Sequence, residues 1–113
     1  MTTTRELSPQ AIDYWVAKAR AVEVQRDRQS GVLMYDPGHG FAPRRFSPTI
    51  YWSQGGPIID EAHIDLNWDT EGNQLWAASM EPDILAHGST ALEAAMRVYV
   101  IAKLGEQLGE PPI

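Results

Sequence analysis

Between Pro9 and Ala21 the apolar residues Ile12, Trp15, Val16 and Ala19 recur at helical spacing and form one stripe. Leu7-Ser8-Pro9 supplies a helix start: Ser8 can cap, Pro9 suits the first helical position, and Leu7 can staple onto Ile12. The pattern predicts a helix from Pro9 to about Ala21, with Trp15 in the core and Asp13, Lys18 and Arg20 in water. From Val22 the period falls to two. Val22 and Val24 alternate with polar neighbours, Arg26 to Gly31 has turn chemistry, and Val32 to Tyr35 is a short apolar run. This reads as a hairpin with Gly31 near the exit of its loop.

Asp36 to Pro48 has three prolines and two glycines and reads as a long irregular loop. Ser47-Pro48 repeats the start signal of Ser8-Pro9, so a helix of one or two turns is expected from Thr49 to Gln54. Gly55-Gly56 should end it, and Pro57 should prevent its continuation. His63 to Asp69 alternates, with Ile64, Leu66 and Trp68 on one face and His63, Asp65 and Asn67 on the other. Thr70 to Asn73 is a turn, and Gln74 to Ser79 is the return strand with Leu75 or Trp76 inward. Met80 to Ser89 reads as a loop. Thr90 and Glu93 have capping-box spacing, and Leu92, Met96, Tyr99, Val100 and Leu104 form the apolar face of a closing helix that Gly105 can stop.

These elements predict an α+β fold. Two hairpins form a small antiparallel sheet of about four strands, packed by two helices, with a long loop and a short helix between the hairpins. The length of 113 residues fits one domain, residues 1–113, with 1–6 and 109–113 as loose polar ends. A domain of this size gains from oligomerisation, so a homo-oligomer is expected.

Composition narrows the function classes. The formal charge of −6 argues against duplex nucleic acid as the main partner, because phosphate contacts need a basic face, although a local basic patch could survive it. No cysteine is present, so thiolate chemistry, disulfides and Cys-based zinc sites are excluded. The N-terminal stretch lacks the apolar core of a signal peptide, and no run of about eighteen apolar residues offers a membrane span. His39, His63 and His87 stand on separate elements without metal-ligand spacing, so no metal or other cofactor is expected. No serine has nucleophile-elbow context, and Asp60-Glu61 reads as a solvated carboxylate pair. No catalytic residue emerges, and the chain reads as a non-enzyme.

The chemistry concentrates between Arg44 and Pro57. Tyr51 and Trp52 can stack on a planar ligand, Arg44 and Arg45 can neutralise phosphate, and Gln54 with the Gly55-Gly56 backbone can read polar edges beside Pro57. The same two rings can equally fill the core beneath a loop.

The segments FSPTIYWSQGGPIIDEAHIDLNW, LWAAS and STALEAAMRVYVIAKLG resemble the NinX family of small phage and prophage proteins. LSPQAIDYWVAKARAVE resembles the longer members. The most specific part is WSQGGPII, and it implicates Trp52, Gln54, Gly55, Gly56, Pro57 and Ile58. Arg44 and Arg45 lie outside it and rest on their chemistry alone. The resemblance implies an accessory protein in the host bacterial cytoplasm, outside the virion structure, and carries no catalytic residues. Together these readings suggest binding of a small, nucleotide-like ligand, such as a host defence signal to be sequestered. Two alternatives stay open: a modulator that docks on a host protein through its acidic surface or helix faces, and a small enzyme that degrades a signal nucleotide.

Overall fold

Helix α3 (Ala91–Leu104) is shielded around most of its circumference, with Leu92, Ala94, Ala95, Met96, Val98, Tyr99 and Val100 all buried. The structure, a computed structural model, describes residues 3–70 and 75–113. Thr90 starts α3 as its spacing predicts: its Oγ1 accepts the Glu93 N–H at 3.1 Å. The Glu93 carboxylate is engaged elsewhere. It accepts the Ser89 hydroxyl at 2.7 Å and pairs with Arg97 at 3.1 Å. Arg97 is itself buried and donates to the carbonyls of His87 and Leu7. Its terminal nitrogens are therefore paired and bonded, while its buried Nε has no partner among the described residues. Gly105 ends α3 at φ 97°, and Leu104 is left exposed beyond the apolar face.

Against one side of α3 lies an antiparallel sheet in the order β4 (Asp65–Trp68), β5 (Trp76–Met80), β6 (Ile84–Gly88). Leu66, Ala78 and Ala86 are in register across it, and Ala78 and Ala86 are fully covered. The sheet can approach this closely because of Gly88, where a Cβ would sit 2.6 Å from the Ala94 nitrogen. The predicted strand around His63–Asp69 is thus shorter, and His63 is the left-handed C-cap of the preceding helix. Trp68 is 47% exposed, so only Ile64 of the expected inner face is fully buried. Trp76 is the inward aromatic of the return strand, packed at the margin of the core. The expected turn falls largely on residues 71–74, outside the described residues. The expected Met80–Ser89 loop is mostly strand: Met80 ends β5, residues 81–83 turn, and Ile84–Gly88 form β6. Its residues alternate in burial, and that alternation has meaning only once β5 and α3 stand beside it.

The second sheet has the order β1 (Gln25–Arg26), β2 (Leu33–Tyr35), β3 (Arg44–Arg45), all antiparallel. The fold is α+β as expected, but with two three-stranded sheets in place of one four-stranded sheet. Each expected hairpin gains a third strand from a segment read as loop. The prolines and glycines of 36–48 allow two residues of pairing, because Arg44 and Arg45 lie between Pro43 and Pro48 and keep their N–H groups.

Helix α1 (Pro9–Ala19) packs on α3 through Ile12 and Val16, with Ser8 accepting the Ala11 N–H. It stops short of the expected Ala21, which has φ 57°. Trp15 is half-buried, and its indole N–H donates to the Gly109 carbonyl. The lead-in is fastened at Thr4, which is buried and exchanges hydrogen bonds with Gly105, Glu106 and Leu108.

Asp13, expected in water, is 2% exposed. Its Oδ1 accepts the Thr49 N–H at 2.9 Å, and Oδ2 accepts the hydroxyls of Ser47 at 2.7 Å and Thr49 at 3.0 Å. Burial pushes its carboxyl up to about 6, against the opposing pull of these donors. Ser47 therefore caps nothing. Its carbonyl closes a turn with the N–H groups of Ile50 and Tyr51.

Helix α2 (Trp52–Ala62) begins after that turn, with Tyr51 at its N-cap, and runs straight through Gly55-Gly56-Pro57. This corrects the expected short helix from Thr49 to Gln54. Pro57 removes the N–H that would bond the Ser53 carbonyl, but Ser53 is exposed and water can serve it. Gly55 is a close-approach site and not a terminator. A Cβ there would lie 2.4 Å from the Pro48 carbonyl oxygen and 2.7 Å from Leu92 Cδ2.

Two outcomes follow for stability in urea. Gly55→Ala should lose about 1–3 kcal/mol, since the nearest obstacle is backbone. Gly56→Ala, whose new Cβ meets only the Trp52 ring at 3.9 Å, should gain up to about 1 kcal/mol from helix propensity. For Asp13 the raised carboxyl means that the folded state binds a proton more tightly than the unfolded chain between pH 4 and 6. Stability through this group therefore rises as pH falls, opposite to an ordinary paired carboxylate. Relative to Asp13→Asn, the native protein should gain about 1 kcal/mol between pH 7 and pH 5. Equal pH dependence of the two proteins would refute this.

Candidate functional site

The residues singled out by chemistry fall on two sides of the start of α2. Gln54 is spent on the scaffold: its Oε1 accepts the Ser47 N–H at 2.6 Å and its Nε2 donates to the Arg45 carbonyl at 2.8 Å. It ties β3 and the following turn to the helix, which leaves one amide N–H and one oxygen lone pair beyond those bonds. Gly55 is covered by Pro48 and Leu92, and Gly56 lies under the Trp52 ring.

Tyr51 and Trp52 are not core plugs. Tyr51 is 38% and Trp52 57% exposed, and Ile50 before them is also exposed. The Arg45 guanidinium lies 5.9 Å from the Tyr51 ring centre, and that of Arg44 lies 5.8 Å from the exposed Phe41 ring. These are cation–π distances. Arg44 and Arg45 leave β3 on opposite sides, as successive strand residues do. Among the described residues neither makes an ion pair. Rings and arginines therefore form a ridge around the free edge of β3.

On the other flank of α2 is an open groove of about 600 Å³. Its apolar wall is Val22, Tyr35, Phe46, Pro57 and Ile58, with Tyr35 and Phe46 meeting edge to face at 5.8 Å. Arg20, Glu23, Asp36, Ser53 and Gln54 supply polar groups around it. Arg20 is engaged already: its two terminal nitrogens hold both Glu61 oxygens at 3.2 and 3.0 Å, and one also donates to the Tyr99 hydroxyl. The Glu61 carboxyl is held below its usual range by that guanidinium. A smaller depression of about 380 Å³ beside β2 shares Glu23, Tyr35 and Asp36 with the groove. Of the expected set, Gln54 and Pro57 line the groove, whereas Arg44, Arg45, Tyr51 and Trp52 do not.

Sequence reasoning missed Asp13, Ser47 and Thr49 as the fastening of this region, and Arg20, Tyr35 and Phe46 as groove walls. One signal was available. Asp13 lies between Ile12 and Val16, inside the helix stripe that faces the core. The groove walls carry no such signal, because they come from four separated segments. Among the described residues no cluster of three or more histidine, aspartate or glutamate side chains is placed to hold a metal ion, and no helix is long and apolar enough to cross a membrane.

A comparison with curated proteins returns no match. The family described as Bacteriophage P22, NinX matches residues 3–103, which takes in both flanks of α2 and all of α3 but its last residue. With most of its length so matched, the chain belongs to the phage NinX family.

Proposed function

We propose that this phage protein is a non-enzymatic accessory protein that binds a small, nucleotide-like ligand and acts by sequestering it in the host cytoplasm, a host defence signal being the fitting cargo. The observation that carries the reading is the groove beside α2. Its volume of about 600 Å³ lies in the range of small-molecule sites. Tyr35, Phe46 and Pro57 offer flat apolar surface to a planar ring, and Ser53, Glu23 and Asp36 offer polar contacts at the rim. The groove is open on one side, and a second copy of the chain could close it, so a homo-oligomer belongs to this reading. Catalysis finds no support in the groove's side chains: Arg20 is neutralised by Glu61, and no histidine lines the walls.

Thermal unfolding with a panel of cyclic and linear nucleotides tests the proposal. At least one member should raise Tm by about 5 °C at saturation. Ser53→Glu places bulk and negative charge in the groove at a helix position that favours acidic residues, so it should fold and lose the shift. Trp52→Ala, outside the groove, should keep it. The ligand should be released chemically intact. No shift with any panel member refutes the reading, and a converted product refutes its non-enzymatic part.

A further inference from the structure

The ridge at the free edge of β3 stands outside the groove and calls for an occupant of its own. Phe41, Ile50, Tyr51 and Trp52 are all exposed, and Arg44 and Arg45, which form no ion pair within 4 Å among the described residues, lie over two of these rings. Between Pro37 and Ile59 the sequence has no aspartate or glutamate, in a chain whose total is −6. The ridge therefore concentrates positive charge on an acidic protein. Its rings are held in place: Arg45 over Tyr51, Arg44 over Phe41, and Trp52 across Gly56 of its own helix.

We propose that this ridge binds a short stretch of single-stranded nucleic acid. Bases stack on Tyr51 and Trp52 on one side of β3 and on Phe41 on the other, and Arg44 and Arg45 take the phosphates between. A duplex does not fit, because its bases are already stacked on one another and it needs a broad basic face. With two arginines to neutralise phosphate, the contact is limited to a few nucleotides. A second copy on the same ridge is disfavoured, since the shared face would bring four arginines together.

Fluorescence anisotropy with a labelled oligothymidylate of about twelve nucleotides tests this. Binding should appear at low salt and quench tryptophan fluorescence. The slope of log affinity against log salt should be about −1.4, as for two neutralised phosphates on a single strand. Trp52→Ala should weaken binding roughly fivefold or more. Arg44→Ala/Arg45→Ala should flatten the salt dependence. These side chains are exposed or half-buried at the surface, and far-ultraviolet circular dichroism confirms that the variants fold. No binding at low salt overturns the proposal, as does binding that survives both variants or equal affinity for the duplex. Binding of an oligoglutamate peptide that depends on Arg44, Arg45 and Trp52, without binding of the oligonucleotide, overturns it in favour of an acidic protein partner. The groove reading does not use these side chains and stands or falls separately.

Discussion

A single buried carboxylate, that of Asp13, fastens the turn ahead of α2 to α1. Its oxygens accept three hydrogen bonds, all from Ser47 and Thr49, and so hold the turn ahead of α2 against α1. Removing a carboxylate from water is costly, and the donors offset that only in part. This is why its proton affinity stays high even with three partners in place. The arrangement trades stability at neutral pH for position. Gln54 extends the same fastening by joining Ser47 to the Arg45 carbonyl, so hydrogen bonds connect β3, the turn and the first turn of α2.

The direction in which α2 leaves that turn is set by contact at Gly55, where the helix backbone lies against Pro48 and Leu92. A residue that weakens an isolated helix is used here because any side chain would push α2 away from α3. With Gly55 turned inward, the two sides of the helix face different surroundings. Ser53, Pro57 and Ile58 border the groove, while Tyr51 and Trp52 stand on the ridge. Local sequence that looks like one cluster of chemistry is thereby split into two surfaces.

Those surfaces differ in character. The groove is concave, partly apolar and edged by Glu23 and Asp36, with its arginine already neutralised by Glu61. The ridge is exposed, aromatic and cationic. A concave wall surrounds a small molecule and gains from burying it on several sides. An exposed strand edge suits something longer that passes across it. Both lie within the segment that matches the NinX family.

Much of the frame was legible from residue order alone. Ser8-Pro9 and Thr90 set the starts of α1 and α3, Gly105 set the end of α3, and the alternation after Ile64 gave the pairing of β4 with β5. Each of these depends on neighbours a few residues away, through caps, periodicity and left-handed backbone. The family resemblance was legible for the same reason, being carried by contiguous segments. Partners far along the chain decided the rest. β3 and β6 exist because β2 and β5 offer them free edges, α2 continues through a proline because α3 and Pro48 hold it, and Asp13 is dry because Ser47 and Thr49 arrive above it. The groove and the ridge belong to this second group. Residue order specified their side chains, but only the packing of distant segments decided which side of a helix each would occupy.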